Sequence, residues 1–125
     1  MFEVAVEHTF AAGHALRHYR GKCENVHGHN YRCQVTLEGE ELDSIGLLVD
    51  FVEVKRLIRE VVERLDHRFI NDLEPFTVIN PSAENLAKYF YDESNTRLQS
   101  VTSGRVRVKD VTVFETDTTT AKYSE

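Results

Sequence analysis

Residues 2–12 alternate along the chain. Phe2, Val4, Val6, His8, Phe10 and Ala12 share one parity, and Glu3, Ala5, Glu7 and Thr9 the other. That two-residue period predicts a half-buried strand. A loop over 13–26 follows, then a second strand, with Tyr31, Cys33, Val35 and Leu37 apolar and Arg32, Gln34, Thr36 and Glu38 polar. The period then lengthens. Val54, Leu57, Ile58, Val61, Val62 and Leu65 recur at helical spacing opposite Glu53, Arg56, Glu60, Glu63 and Arg64. Asp50 is the expected N-cap, with Glu53 as its capping-box partner. This helix is expected to end near Asp66-His67. A second begins around Asn80-Pro81-Ser82, where Pro suits a first turn and Ser or Asn can cap it. Its expected core residues are Leu86, Tyr89 and Phe90.

Strand character returns at Val106 and Val108 and continues at Val111, Val113 and Glu115. The parity changes at Lys109-Asp110, which predicts a β-bulge. Asp117-Thr118 turns the chain into a last strand over 119–124. The order ββααββ predicts an α+β domain: a four-stranded antiparallel sheet with two helices on one face.

At 125 residues, one domain over 1–125 is expected, large enough for a core without disulfides or a metal staple. Two cysteines fit a reduced, cytoplasmic location better than a disulfide scaffold. No run approaches the ~20 apolar residues of a membrane span. The opening Met1-Phe2-Glu3-Val4-Ala5-Val6-Glu7 has no basic region, so no signal peptide is expected. A net charge of −6 argues against broad nucleic-acid binding. It leaves room for a small anionic ligand, and Arg17, Arg20 and Lys22 cluster as a candidate basic pocket.

The chemistry concentrates between Gly13 and Tyr31. His27 and His29 are two residues apart, so on a strand they share a face. Their parity is that of Tyr31, Cys33 and Val35. His14 has the parity of Val4, Val6 and Phe10, and Glu115 that of Val111 and Val113. If both strands run through, three imidazoles and a carboxylate emerge on the helix-covered side. Three neutral imidazoles suit Zn²⁺ with a fourth position left for water or substrate. His8 shares that parity but lies further along the strand, as a pocket or core residue. His18 reads as a loop residue.

Cys23 lies in a Gly/Lys/Glu/Asn loop, where Lys22 and a dication would favour its thiolate. It serves either as a reactive base or as a fourth ligand that would make the site structural. Cys33 reads as core. Asp66-His67 is either a proton-transfer pair or a helix end where a cationic imidazole meets the dipole. Adjacent helical residues do not face each other, so a direct contact needs an irregular helix end.

Phe10-x-x-Gly13-His14-x-Leu16 followed by Gly21-Lys22-Cys23-Glu24-x-x-His27-Gly28-His29-x-Tyr31 resembles the 6-pyruvoyl-tetrahydropterin synthase family. Further matches are Val49-Asp50-Phe51, Leu65-Asp66-His67, Asn80-Pro81-Ser82-Ala83-Glu84-Asn85-Leu86-Ala87 and Glu115-Thr116. The three-residue gap between Cys23 and His27 resembles the bacterial 6-carboxy-5,6,7,8-tetrahydropterin synthase branch. The pyruvoyl-forming branch has a longer gap. Gly13 and Ser82 depart from the Ala and Thr frequent in the family; both changes are conservative.

The resemblance implies the tunnelling fold, with sheets of three subunits joined edge to edge and two trimers stacked. Glu3, Glu7, Arg32, Gln34 and Glu38 would line the wet inner face. It implies active sites between subunits, so Asp66 and His67 would complete a site whose Cys23 belongs to a neighbour. It implies zinc on His14, His27 and His29, with Cys23 as base and His67, assisted by Asp66, passing a proton. Glu115 would anchor the pterin ring, with Ser82 and Ala83 completing the pocket. Arg17, Arg20 and Lys22 are the candidates for triphosphate contacts. The implied reaction converts 7,8-dihydroneopterin triphosphate to 6-carboxytetrahydropterin, acetaldehyde and triphosphate, for queuosine (7-deazapurine) biosynthesis. The alternatives are 6-pyruvoyl-tetrahydropterin formation, side-chain cleavage for folate synthesis, or a non-enzymatic zinc-binding assembly module.

Overall fold

The computed structural model describes residues 1–21 and 24–125. Four strands, β1 (Phe2–His14), β2 (His27–Gly39), β3 (Arg107–Thr116) and β4 (Thr119–Ser124), form one antiparallel sheet in the order β1-β2-β3-β4. Two helices, α1 (Phe51–Leu65) and α2 (Ala83–Thr102), are inserted between β2 and β3, with a 3₁₀ turn at Ile70–Asp72 between them. Helix α1 packs on β1, and α2 on β3 and β4. The α+β order expected from the sequence is the observed one.

β1 runs two residues beyond the 2–12 alternation. Ala12, Gly13 and His14 keep partners in β2, opposite His29, Gly28 and His27. Continued pairing carries the strand to its first candidate ligand. The core is built from the predicted parities: Val6, Phe10, Tyr31, Cys33, Val35 and Leu37 are all buried. Phe10 stacks on Tyr31 at 4.9 Å between ring centroids and meets Phe90 of α2 at 5.5 Å. Burial of each such ring is worth about 1.5–3 kcal/mol.

The bulge lies at the expected place. Thr36 opposes Asp110 and Leu37 opposes Val108, which leaves Lys109 as the extra residue. One inserted residue lets Val106 and Val108 face the core together with Val111 and Val113. It also sets the parity that brings Glu115 to the helix side.

Local details correct the sequence reading. Asp50 caps α1 by accepting from the Val52 N–H at 2.9 Å, but Glu53 faces Arg56 at 3.8 Å and does not close a capping box among the described residues. Ser82, one of the two expected caps, is the N-cap of α2, so Pro81 precedes the helix instead of sitting in its first turn, and it is buried there. Tyr89 is only half-buried, while Leu86, Ala87, Phe90, Tyr91, Ser94 and Leu98 form the inward stripe. The 3–4 spacing of that stripe is masked in the sequence because Ala87 and Ser94 are small. Glu38, expected on the wet face, is buried at the end of β2 and accepts from the Arg107 Nε at 2.6 Å. No described helix is long and apolar enough to cross a membrane.

Candidate metal centre

The register of β1 against β2 builds the site. His14 sits directly opposite His27, and His29 opposite Ala12, so all three imidazoles leave the sheet on the helix side. Their candidate ligand atoms lie within 4.8 Å of one another.

Backbone carbonyls select the tautomers. His14 Nδ1 donates to the Pro81 carbonyl at 2.7 Å, and His27 Nδ1 to the Asn25 carbonyl at 2.7 Å. A carbonyl can only accept, so in the neutral rings both protons sit on Nδ1 and both Nε2 atoms present lone pairs. Those two Nε2 atoms are 3.0 Å apart. Among the described residues, the Nε2 of His29 is buried without a hydrogen-bond partner. Burial holds the pKa of His14 and of His29 below the ordinary histidine range, opposed at both by the Glu115 carboxylate. Neutral, convergent and unsatisfied nitrogens fit a metal ion.

Glu115 stands at the rim, with Oε1 3.6 Å from His29 Nε2. A second irregularity places it there. Phe114 pairs with Thr120 and Thr116 with Thr119, so Glu115 is skipped in the β3–β4 ladder. Glu115, Ser82 and Ala83 line one cavity of about 260 Å³ with Leu16 and Thr119. Ser82 caps α2 by accepting from the Asn85 N–H at 3.1 Å. The partially positive N-terminus of the helix therefore opens beside the carboxylate.

Asp66 and His67 form a separate unit. Asp66 leaves α1 in an extended conformation, and His67 has φ 58°, in the left-handed region. This irregular end permits the contact that a regular helix forbids: His67 Nδ1 donates to Asp66 Oδ1 at 2.9 Å. The Ala11 N–H donates to the same oxygen at 3.0 Å, and the His67 N–H donates to the Ala11 carbonyl at 2.6 Å. The Ala11 N–H, foremost, holds the Asp66 carboxyl below the usual carboxylate range. The His67 ring is 82% exposed and is not among the converging nitrogens. It lines a cavity of about 490 Å³ with Gly13, Gly28, His29 and Asn30.

Arg17 is not a free cation for phosphate. Its guanidinium donates to the carbonyls of Phe76 at 2.8 Å, Ile79 at 3.2 Å and Asn71 at 3.5 Å. Arg20 is exposed. Lys22 and Cys23, expected as substrate contact and catalytic thiol, lie outside the described residues. His8 is half-buried, its Nε2 without a partner among the described residues, and His18 lies in the exposed loop, both as expected. Cys33 is fully buried, which pushes its thiol pKa far up and keeps it a core residue. Sequence reasoning missed Pro81 and Asn25, which orient ligands through backbone carbonyls. A backbone acceptor leaves no residue-type signal.

Residues 3–125 match the family model described as 6-pyruvoyl tetrahydropterin synthase. A 6-carboxy-5,6,7,8-tetrahydropterin synthase of Aquifex aeolicus is 31% identical over 99% of this chain and 98% of its own. The Bacillus subtilis protein of the same name is 34% identical over 98% of this chain and 84% of its own. The solved 6-pyruvoyl tetrahydropterin synthase of Caenorhabditis elegans superposes with a TM-score of 0.82 at 30% identity, covering 100% of this chain and 97% of that one. The sheet, the helices and the sequence thus agree over almost the whole length: this chain belongs to the 6-pyruvoyl tetrahydropterin synthase family.

Proposed function

We propose that this protein is a zinc-dependent 6-carboxy-5,6,7,8-tetrahydropterin synthase. It converts 7,8-dihydroneopterin triphosphate and water to 6-carboxytetrahydropterin, acetaldehyde and triphosphate, as a cytoplasmic step of queuosine biosynthesis. The observation that carries the reading is the convergence of His14, His27 and His29 beside Glu115. The short Cys23–His27 gap and the names of the Aquifex and Bacillus relatives support the carboxy-forming branch.

His14, His27 and His29 hold the zinc. When bound, it supplies Lewis-acid stabilisation of charge developing on substrate oxygens. Glu115 accepts paired N–H donors from the pterin ring, in the cavity it shares with Ser82 and Ala83. Cys23 removes a proton from the side chain. Asp66 holds the His67 Nδ1–H, which leaves Nε2 free to pass a proton. Triphosphate leaves, and the side chain is cleaved between carbons to release acetaldehyde. Lys22 remains a candidate contact for the anionic end of the substrate.

The assembly belongs to the same proposal: a trimer, or a dimer of trimers, with sites shared between subunits. In support, the outer edge of β1 from Phe2 to Phe10 and the outer edge of β4 have no strand partner among the described residues. Asp66 and His67 sit at that same edge of β1, within reach of a docked neighbour.

Incubation with 7,8-dihydroneopterin triphosphate and mass analysis of the product tests the activity. Acetaldehyde with a 6-carboxy product is expected; a 6-pyruvoyl product, or no turnover, overturns the assignment. Cys23→Ala should keep its metal and lose turnover. Loss of metal from that variant marks Cys23 as a ligand and favours the assembly-module reading.

A further inference from the structure

The free edge of β1 does not stay free near the metal centre. Alternate residues 11, 13, 15 and 17 point their backbone groups the same way, and the segment after α1 satisfies all four. Ala11 is held by Asp66 and His67, and the Gly13 N–H donates to the Arg68 carbonyl at 3.0 Å. At Ala15 and Arg17 the partners are side chains. Asn71 Oδ1 accepts from the Ala15 N–H at 2.9 Å, and its Nδ2 donates to the Ala15 carbonyl at 2.9 Å. Asn80 Oδ1 accepts from the Arg17 N–H at 2.8 Å, and its Nδ2 donates to the Arg17 carbonyl at 3.0 Å. A primary amide offers one acceptor and donors in one plane, so each asparagine replaces a residue of a neighbouring strand.

Asn80 matters beyond that pairing because Pro81 follows it. The Pro81 carbonyl is the group that holds His14 Nδ1 at 2.7 Å. Asn80 is tied on its other side as well, its carbonyl accepting from Asn85 Nδ2 at 2.9 Å. Arg17, three residues after His14, in turn grips the carbonyls of Phe76 and Ile79. The strand end that bears His14 and the segment that orients it are thus fastened to each other.

We infer that Asn80 is a positioning residue for the metal centre. Paired with the backbone of Arg17, it holds the Pro81 carbonyl against His14 and so fixes the tautomer and angle at which His14 presents Nε2. The inference rests on the metal-centre reading; Asn80 itself touches neither metal nor substrate.

The test is zinc affinity of the full-length chain by chelator competition, with the absorption spectrum of the cobalt-loaded protein. Asn80→Ala should bind zinc about 10-fold more weakly, the lower end of what losing an outer-shell partner costs, and show a shifted cobalt spectrum while still folded. Asn71→Ala is the control, since it loses the same kind of backbone pairing without adjoining Pro81. It should lower the melting temperature with a smaller change in affinity. Unchanged affinity in Asn80→Ala, or equal losses in both variants, overturns the inference while leaving the metal centre intact. A wild-type chain that binds no zinc overturns the centre itself, and the inference with it. If Asn80→Ala does not fold, Asn80→Asp, which keeps the acceptor for the Arg17 N–H and loses the donor, carries the same readouts.

Discussion

The Nε2 atoms of His14 and His27 face each other at 3.0 Å although neither, in the neutral ring, has a proton to share. The Pro81 and Asn25 carbonyls have claimed the Nδ1 protons. Two lone pairs at that distance repel unless a cation lies between them or one ring protonates. Burial opposes protonation of His14, and a metal ion held by His14, His27 and His29 would satisfy both lone pairs.

His27→Ala should therefore abolish stoichiometric zinc binding, because two imidazoles cannot replace three. Metal content after dialysis, measured by mass spectrometry, checks this. Zinc at 100 times its Kd should stabilise the wild-type chain by about 2.7 kcal/mol against unfolding. The melting temperature of His27→Ala should not respond.

Acid should destabilise the metal-free protein. Burial lowers the pKa of His8, His14 and His29 in the fold; at His8 a hydrogen bond to the Lys55 backbone opposes the effect and the nearby Arg59 charge adds to it. The unfolded chain then binds more protons than the folded one. The stability these neutral rings retain is fully present above about pH 6.5, the ordinary histidine value, and is lost as pH falls through their lowered values. Thermal melts of the apo protein from pH 8 to pH 5 should show that decline. His8→Phe should flatten part of it, because the half-buried ring no longer titrates.

Glu115→Gln should weaken substrate binding while sparing metal. Replacing a carboxylate that accepts paired donors costs about 1.5–3 kcal/mol, or roughly 10- to 150-fold in affinity. Equilibrium binding of a pterin, alongside zinc content, separates the two effects. Equal affinity in the variant would remove Glu115 from the pterin site.

His67→Ala should lower kcat by about 10²–10⁴-fold, the range for loss of a general acid or base, with zinc content unchanged. Asp66→Asn preserves an oxygen for the Ala11 and His67 N–H groups but removes the charge. It should keep the fold and reduce kcat less than His67→Ala. Steady-state rates with far-UV dichroism test both variants.

Much of this was legible in the residues. Alternation located both ligand strands, and parity placed His14, His27, His29 and Glu115 on the helix side on the condition that the strands run through, which the pairing of β1 as far as His14 meets. The parity break at Lys109 announced the bulge. Asp66-His67 was legible as a candidate but not as a contact, since the left-handed turn at His67 depends on the hydrogen bonds to Ala11. Arg17 misled for a related reason. A cation in a loop suggests an anion, and nothing local shows that three carbonyls from residues 71–79 will surround it.

The division follows from range. Strand parity, helical spacing and capping arise from neighbours a few residues apart, so the linear pattern sets which face of its own element each side chain takes. Which faces then meet depends on register and on contacts across tens of residues. The pairing of His14 with His27, the Pro81 carbonyl that orients His14 and the asparagines that continue the edge of β1 exist only once the chain has folded back. They are backbone and amide hydrogen bonds between distant segments, and such bonds leave no periodicity to read.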